Sequence, residues 1–504
     1  MKPLSRLLTA LFLAAGATTS AAEPLALWDA MARAAQANPA LRSQQVELSR
    51  QTLEQDIAHG QRLPRLDLNA GYTRYAYPSL VTPIREAGVF PPLDRDVANI
   101  GLALSLPLYS GGKLIAGEAL AAHNREASAQ ALRAGGQDLL FNVVATYTKA
   151  LHFRQLGKVL DARIKTLQQE EKNIGLRIEQ GRAARLELIR LQTQLSQAHY
   201  DKVSITQGEK DALSLLASLL GESGPALTLA ELGKTTPALP ASIEEAKNQA
   251  AQHRPDMLGL VASGKAAQEK TAIARGERLP QINLVAKAQE TTGGDWNGYS
   301  DWQMGVQLSM PLFDGDIRKR RVEQAGLEQR KNTLQQEDIR NRLASEIEQA
   351  FGALAEARAR LGAATQGETE AREVLRIETL RYHNGENTIT DLLSAESALW
   401  SATASRLQAG YDITLSQARL LRTLGKLATD SFKPALPDSK KDAADRPVSG
   451  RTQSDLTHYL AWHRWGVTGS NDLVTEGSAA SSSRHSGLAG ASLSGHFVKQ
   501  GAKL

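Results

Sequence analysis

The chain has 504 residues, no cysteine and a formal net charge of +5, with 42% hydrophobic and only 5% aromatic residues. The absence of cysteine excludes disulfides, thiolate metal sites and a cysteine nucleophile, and the small net charge gives no reason to expect a nucleic-acid partner. A composition low in aromatics, in which many apolar residues are alanine, is typical of long, closely packed helices.

The first 22 residues have the pattern of a secretory signal peptide. Lys2 and Arg6 give a basic start, an apolar run covers positions 7–17, and the small residues at positions 20–22 suit a cleavage site. The apolar run is too short to span a bilayer as a helix, which needs about 20 residues, and no run of that length follows. We therefore expect an exported chain that enters a membrane, if it enters one, only as strands.

The remaining sequence repeats one pattern twice. Pro39 and Pro255 open matching segments at an offset of 255 − 39 = 216, whereas Pro107 and Pro311 match at an offset of 311 − 107 = 204. Each copy is too long for a solenoid unit, so we interpret the pattern as a tandem duplication of a half-protein. The predicted repeats are 23–220 and 242–428, joined by a linker at 221–241 that is marked by glycine and prolines.

Each repeat begins with a helical segment, at 25–60 or 242–276, and continues into a predicted β-hairpin at 66–106 or 282–310. In the second strand of each hairpin, apolar residues alternate strictly with small or polar ones, which predicts a strand with one apolar face. The alternating apolar residues are Ile100, Leu102, Leu104 and Leu106, and Met304, Val306, Leu308 and Met310. Nearby aromatics are typical of a membrane interface, although the strands alone suit a soluble sheet with one dry face equally well.

A proline follows each alternating segment. Pro107 and Pro311 are each followed by an apolar residue, an aromatic residue and a turn. Because proline has no N–H to donate to a strand ladder, we expect it to end the strand. Ser110 and Asp314 are then candidate caps of the next helix.

Each repeat ends in a very long helix and a return helix. Long helices are predicted at 113–180 and 317–384, which contain no proline, and return helices at 184–220 and 388–427. A helix at 113–180 would be about 100 Å long and would need coiled-coil partners. Gly181 and Gly385 end the long helices, and the Ser-, Gly- and Ala-rich tail at 429–504 is expected to be largely disordered.

Four strands per chain cannot close a barrel. An open sheet in lipid would leave backbone groups unpaired at a cost of several kcal/mol each, so chains must associate if these strands lie in a membrane. Two chains would give an eight-stranded barrel filled by side chains, and three would give a twelve-stranded barrel that could enclose water. The small and polar face favours the larger ring. The predicted fold is therefore mainly α, with a duplicated α-helical barrel joined to a trimer-closed, twelve-stranded β-barrel.

The sequence resembles the TolC family of outer-membrane efflux and secretion channels over about residues 25–427. The resemblance depends on the two Leu/Met-Pro-Leu-Tyr/Phe junctions at Pro107 and Pro311, the two RLP segments before the hairpins, and the RYHNG turn that ends at Gly385. It implies a homotrimer in the outer membrane with a periplasmic helical tunnel. It also implies docking to an inner-membrane transporter through a periplasmic adaptor protein, and it implies no cofactor.

The resemblance further implies a gate at the periplasmic tip of the tunnel. Counting from Gly385 places Tyr382 and Asp391 at gate and aperture positions of the family, and counting from Gly181 places Glu187 there. A hydrogen bond from Tyr382 to Glu187 would close the gate, and Asp391 from three chains would form a cation-selective ring. Without the resemblance, both acids read as ordinary residues of a first helical turn, where the helix dipole favours them.

The tip departs from the family pattern at two positions. Asn387 stands where some members have a basic residue, and Ser394 replaces a second aperture acid. Other residue pairs are therefore alternative candidates for closing the gate, such as Arg182 or Arg185 with Glu386. Residues at both hairpin tips are candidate adaptor contacts, with exposed loops as the alternative reading. These residues are Gly181, Arg182, Ala183, Gly385, Glu386 and Asn387.

The alternative function is a periplasmic coiled-coil scaffold without a pore. A scaffold would explain the long helices but neither the alternating strands nor the proline junctions. An enzyme is not expected, because no nucleophile, metal cluster or phosphate-binding loop occurs in both copies or beside a strand end. The sequence does not predict the cargo or the inner-membrane transporter.

Overall fold

The computed structural model describes residues 24–222, 227–233 and 237–433. Within them the chain runs twice through two short helices, a β-hairpin, a long helix and a return helix. The first pass comprises α1 (Leu27–Ala37), α2 (Pro39–Gly60), β1 (Arg65–Leu80), β2 (Leu93–Tyr109), α3 (Lys113–Glu179) and α4 (Arg185–Leu219). The second comprises α5 (Ile243–His253), α6 (Pro255–Gly276), β3 (Gln281–Thr292), β4 (Gly298–Ser309), α7 (Ile317–Asn384) and α8 (Ile389–Thr423).

The mainly α fold with a small four-stranded sheet is confirmed. The predicted signal peptide at 1–22 and the tail beyond residue 433 lie outside the described residues, and the predicted domain boundaries stay predictions. None of the helices in the described residues combines the length and apolar character needed to cross a bilayer.

The predicted helical segment that opens each pass is divided into two helices. The break falls at Asn38 and at Arg254, each of which has an extended backbone and precedes a proline. A residue before proline is disfavoured in the helical region, whereas proline itself suits the first helical position. Asn38 also caps α2, because its side-chain oxygen accepts hydrogen bonds from Ala40 N at 3.0 Å and Leu41 N at 3.1 Å.

The four strands form one antiparallel sheet in the order β1-β2-β3-β4. The strands of the first hairpin, predicted at 66–106, extend beyond the alternating segment, since β1 continues to Leu80 and β2 begins at Leu93. Its outer part carries charged residues on both strands, such as Arg74 and Asp96, whose side chains lie 3.7 Å apart. Cross-strand pairing holds this part together where no apolar alternation marks it.

Pro107 does not end its strand, which corrects the sequence prediction. It lies inside β2 opposite Asn283, and the strand continues to Tyr109 past an irregularity in the pairing. Proline is tolerated in a strand at such a bulge, because the local ladder is already interrupted. Pro311, in contrast, lies two positions beyond Ser309, the last residue of β4.

The long helices begin after turns in which Ser110 and Asp314 bond to the new helix. The hydroxyl of Ser110 accepts from Leu114 N at 3.4 Å, and the carboxylate of Asp314 accepts from Arg318 N at 3.1 Å. The N-cap position itself is occupied by other residues with a left-handed backbone, Gly112 before α3 and Asp316 before α7. Ser110 and Asp314, the predicted caps, therefore bond to their helices from two positions before the N-cap residue.

The long and return helices form two helical hairpins, α3–α4 and α7–α8. The helix α3 packs against α2, α4, α6 and α8, whereas α7 packs against α5, α6 and α8. The helix α8 ends at Thr423, four residues before the predicted end. Gly425 has a φ of 72° just beyond it, a left-handed conformation that stops a helix.

The described parts of the linker and the residues up to 433 pack on the body, while the predicted disorder of the tail concerns residues outside the described ones. Leu229 forms a parallel bridge with Leu25, and both lie in an apolar cluster around the fully buried Tyr147. The Tyr147 hydroxyl lies 2.7 Å from the carbonyl oxygens of both Leu25 and Ala230. Phe432 belongs to the same cluster.

Candidate membrane surface and periplasmic gate

One face of the sheet is apolar across all four strands. Strand pairing aligns its side chains in rows that run from β1 to β4. Two of these rows are Leu66–Leu104–Ala286–Met304 and Leu68–Leu102–Ala288–Trp302. Leu68 is 68% exposed and Trp302 is 77% exposed. Soluble proteins rarely expose a continuous apolar patch of this kind, so the face is expected to meet lipid or protein.

The opposite face of the sheet carries polar and small residues. Its rows include Asp67–Ala103–Lys287–Gln303 and Asn69–Gly101–Gln289–Asp301. An apolar face and a polar face on the same strands are the pattern of a transmembrane barrel wall with an aqueous interior. The alternation in β2 and β4 predicted these two faces, and the register shows that all four strands share them.

The long helices end in glycine turns at the far end from the sheet. Gly181 has a φ of 69° and Gly385 a φ of 77°. After Gly385, Glu386 N donates to Arg381 O at 2.8 Å, and Arg182 N donates in the same way to Arg177 O at 2.7 Å. These bonds satisfy the last carbonyls of each helix and turn the chain sharply into the return helix.

The two helical hairpins are joined at their tips by a hydrogen bond. The hydroxyl of Tyr382 on α7 donates to the carboxylate of Glu187 on α4 at 2.9 Å. Tyr382 is only 3% exposed, and the Arg177 guanidinium lies 5.0 Å from the centre of its ring. Burial, and then the hydrogen bond to Glu187, raise the pKa of the Tyr382 hydroxyl, so it keeps its proton for this bond. The structure thus brings together the pair expected from the resemblance.

Asp391 is exposed and caps its own helix. Thr388 N donates to the Asp391 carboxylate at 3.0 Å, and Asp391 N donates to the Thr388 hydroxyl at 3.4 Å. The Thr388 hydroxyl also donates to this carboxylate at 2.7 Å. That bond first, and then the bond from Thr388 N, lower the pKa of Asp391, so the residue stays negative. Glu187 bonds similarly to Ala184 N at 3.4 Å. Asp391 and Glu187 therefore both act as acids of a first helical turn that bond to the N-cap backbone. Glu187 does so while also accepting the bond from Tyr382.

The other tip residues do not form the alternative gate pairs. Among the described residues, no ion pair joins Arg182 or Arg185 to Glu386, and all three are exposed. Asn387 points back to α7, where its side-chain amide donates to the carbonyl oxygen of Glu378 at 3.2 Å and also contacts that residue's carboxylate. Gly181 and Gly385 are exposed, and Ala183 is half-buried.

Two polar contacts between the helical hairpins were not expected from the sequence. Arg190 on α4 donates to the Thr390 hydroxyl on α8 at 2.6 Å. Deeper between the helices, Arg163 on α3 and Glu396 on α8 lie 3.9 Å apart with side chains only 10% exposed. Burial raises the pKa of Glu396, against the opposing effect of Arg163. The available signal was a charged residue, Arg163, inside the apolar stripe of α3.

Comparison with known proteins identifies the family. The sequence profile described as outer membrane efflux protein matches residues 30–222 and 246–426. The chain therefore belongs to the outer membrane efflux protein family, which confirms the resemblance, and it is an outer-membrane channel protein.

The chain is similar to several known proteins. The chain is 26% identical over 373 residues to the alkaline protease secretion protein AprF of Pseudomonas aeruginosa, covering 71% of this chain and 76% of that protein. It is 21% identical over 465 residues to the outer membrane protein TolC of Escherichia coli, covering 89% and 90%. The solved open state of the Neisseria gonorrhoeae MtrE outer membrane channel has a TM-score of 0.70 at 21% identity, covering 80% of this chain and 90% of that chain. At this identity, the structural match shows the shared fold.

Proposed function

We propose that three copies of this chain form a channel-tunnel, the passive exit duct of a tripartite efflux or type I secretion system. One observation carries the proposal: the sheet has an apolar face, a polar face and two open edges. Open edges in lipid leave backbone groups without partners, so copies of the chain must complete the ring. Three copies supply twelve strands, enough to enclose water behind the polar face.

The dimensions of the apolar face fit a bilayer. The outward apolar residues run from Trp302 on β4 to Met310, one position beyond its end, which is roughly 27 Å of extended chain at about 3.4 Å per residue. Strand tilt of about 40° reduces this height to roughly 20 Å, close to the lipid-facing band of about 25 Å in outer-membrane barrels. A coiled-coil scaffold without a pore gives no reason for this face.

The helical hairpins then extend from the barrel into the periplasm and form the tunnel. In this arrangement the Tyr382–Glu187 bond holds the tip closed, and Asp391 from three chains places negative charge at the aperture. A ring of carboxylates favours cations over anions. The exposed tip residues around Gly181 and Gly385 are the proposed contacts of a periplasmic adaptor, which connects the duct to an inner-membrane transporter.

The class of cargo follows from the transporter rather than from this chain. Relatives include one named for alkaline protease secretion and one, BepC of Brucella suis, named as an efflux protein. Both transport classes therefore remain compatible with the proposal.

Membrane fractionation followed by measurement of mass in detergent tests the proposed assembly. We expect the mature protein in the outer-membrane fraction, as trimers that resist denaturing detergent without heating and that conduct ions in planar bilayers. A folded monomer that stays in water without detergent would refute the proposal, because such a chain would have no need to cover its apolar face or its strand edges.

A further inference from the structure

A cavity lies at the base of the second hairpin, where the strands give way to helices. It has a volume of about 290 Å³ and is formed within one chain by the turn before β3 and the segment that joins β4 to α7. Gln281 pairs with Ser309 at this end of the sheet, so the cavity lies just beyond the last paired residues of the hairpin. Its wall combines apolar side chains with cations, among them Met310, Leu312, Phe313, Arg278 and Lys319.

The apolar part of the wall continues the face of the sheet that meets lipid in the proposed function. Leu308 and Met310 belong to the alternation on that face, and Leu312 is the next residue of the same alternation. Leu312 is 89% exposed, and the adjacent Phe313 is 91% exposed. Apolar and aromatic side chains at the end of a lipid-facing strand are typical of the membrane interface. The cavity therefore lies at the level of lipid headgroups, on the side of the sheet from which the helices extend.

The duplication provides a comparison for this cavity within the same chain. Arg62 is the equivalent of Arg278, since 278 − 62 = 216, and Ile115 is the equivalent of Lys319, since 319 − 115 = 204. In the first pass, the carboxylate of Glu118 accepts a hydrogen bond from Arg62 at 2.6 Å and lies 3.0 Å from a ring nitrogen of His59. The basic side chains of the first junction therefore have an acidic partner on the helix beside them.

The second junction keeps basic residues and lacks this acid. The equivalent of Glu118 is Val322, and the equivalent of His59 is Arg275. Three exposed cations of the second junction form no ion pair within the described part of the chain, namely Arg275, Arg278 and Lys319. The second junction thus has unpaired positive charge where the first has a paired arrangement.

The remaining charges of the second junction are mostly paired. The ion pairs are Arg318–Asp314 at 2.8 Å, Arg320–Glu323 at 2.8 Å and Arg321–Glu277 at 3.0 Å. Asp316 forms no ion pair among the described residues, but its left-handed φ of 66° matches the φ of 79° at its equivalent Gly112, and aspartate tolerates this conformation. The unpaired cations therefore outnumber the unpaired acid by two.

The fold itself does not require these cations. The first pass makes the same change from strand to helix with apolar or small residues at the corresponding positions, Leu114, Ile115, Ala116 and Gly117. A surface that is apolar towards the sheet and cationic towards the helices is instead complementary to a phospholipid, whose acyl chains adjoin a negative phosphate.

We propose that this cavity binds the headgroup of an anionic phospholipid of the periplasmic leaflet, an inference that rests on the proposed function because it requires the sheet to lie in the outer membrane. The lipid phosphate accepts hydrogen bonds from Arg278 and Lys319, and an acyl chain lies along Met310 and Leu312. Arg275, three positions before Arg278, adds positive potential. Each cation near the headgroup is expected to contribute about a fivefold gain in affinity.

Lipid titration of the purified, delipidated protein in uncharged detergent tests this site. A ligand that binds only the folded protein raises its melting temperature, so affinity can be measured with short-chain phosphatidylglycerol. We expect Arg278→Gln with Lys319→Gln to weaken this binding about 25-fold, as two cations are lost. Phosphatidylcholine with the same acyl chains should bind weakly to both proteins, and inorganic phosphate alone should not reproduce the stabilisation.

Matched variants separate charge at the cavity from charge in general. Lys165→Gln with Arg340→Gln removes two exposed cations of the long helices that have no ion pair among the described residues, and it should leave lipid affinity unchanged. Lys319→Ile introduces the residue found at the equivalent position of the first pass, Ile115, so it should fold and weaken binding about fivefold. Arg278→Lys with Lys319→Arg keeps both charges and should retain binding.

The outcomes distinguish this inference from the proposed function. Equal affinity of the wild-type protein and the Gln variants, no preference for phosphatidylglycerol over phosphatidylcholine, or equal stabilisation by inorganic phosphate would each overturn the lipid site. None of these results would affect a trimer observed in detergent. A folded monomer that stays in water without detergent would overturn the proposed function and the lipid site together.

Discussion

Removing the Tyr382–Glu187 hydrogen bond should open the proposed gate. Tyr382→Phe deletes the donor hydroxyl and keeps the buried ring, and Glu187→Gln removes the charge of the acceptor. A hydrogen bond to a charged group contributes about 1.5–3 kcal/mol. The lower end applies here, because Glu187 is only half-buried and water can solvate the freed carboxylate.

The size of the effect depends on how the three chains act. A loss of about 1.4 kcal/mol changes an equilibrium roughly tenfold. If the three bonds of a trimer break independently, each tip should open about tenfold more often. If they break together, the closed state should lose about 4 kcal/mol and the open fraction should rise by roughly three orders of magnitude.

Single-channel recording in planar bilayers measures this change. Either single variant should raise conductance or open time, Tyr382→Phe by deleting the bond and Glu187→Gln less strongly by leaving a neutral acceptor. The double variant should add little to Tyr382→Phe, because both changes act on the same bond. Tyr200→Phe is the matched control, since Tyr200 lies exposed on the same helix as Glu187. Unchanged conductance in the double variant would refute the gate assignment, and strictly additive effects would show that the two residues act separately.

Three further predictions follow from other parts of the chain. Tyr147→Phe should lower the free energy of unfolding by about 1–2 kcal/mol, measured by thermal denaturation, because it removes a buried hydroxyl from two carbonyl oxygens; no loss would contradict this. Val306→Lys should impair assembly into lipid vesicles by about 2–4 kcal/mol, whereas Gln307→Lys on the polar face should not; equal effects would contradict the assignment of faces. Glu396 has a raised pKa in the folded state, so its contribution to stability is present below the ordinary glutamate pKa and is lost as pH rises through the folded value. Glu396→Gln should therefore reduce the decline of the melting temperature with rising pH, and an unchanged pH profile would refute this.

The helical architecture could be predicted because it is encoded locally. Long stretches without proline, apolar residues at helical spacing and the glycine at each tip fixed α3 and α7 to within one residue at their ends. The breaks before Pro39 and Pro255 were also local signals, because a residue before proline is disfavoured in the helical region. The alternation did not mark the outer part of the first hairpin, because its strands carry charged residues and depend on cross-strand pairs such as Arg74 with Asp96.

Position in the sheet explains the error at Pro107. The sequence around Pro107 and Pro311 is closely similar, yet β2 has partners on both sides and β4 has only one. Pairing with β3 carries β2 past its proline to Tyr109, whereas β4 ends at Ser309. The sequence around each proline does not tell how many strands lie beside it. The different ends of β2 and β4 could therefore be explained only once the order of strands in the sheet was known.

The candidate gate depended on family resemblance rather than on a local signal. Nothing in the spacing of Tyr382 and Glu187 predicts that they meet, since they lie 195 positions apart. The Arg163–Glu396 contact was missed for the same reason, since it joins α3 to α8 across the fold. Local rules predicted Asp391 better, because a first-turn acid with Thr388 as cap is a short-range pattern.

Apolar packing and the hydrogen bond have different tasks at the tip. Leu191 is fully buried in a cluster that also contains Ile174, Tyr382 and Ile389, drawn from all four helices. Apolar contact is non-directional, so it holds the helical hairpins together over a range of relative positions, whereas a hydrogen bond specifies one position.

Leu191→Ala should therefore lower the free energy of unfolding by about 2–5 kcal/mol, and Tyr382→Phe should change conductance with a much smaller loss of stability. Thermal melting and bilayer recording on both variants check this separation. If the two variants changed stability and conductance in the same proportion, apolar packing and the Tyr382–Glu187 hydrogen bond would not have separate roles at the tip.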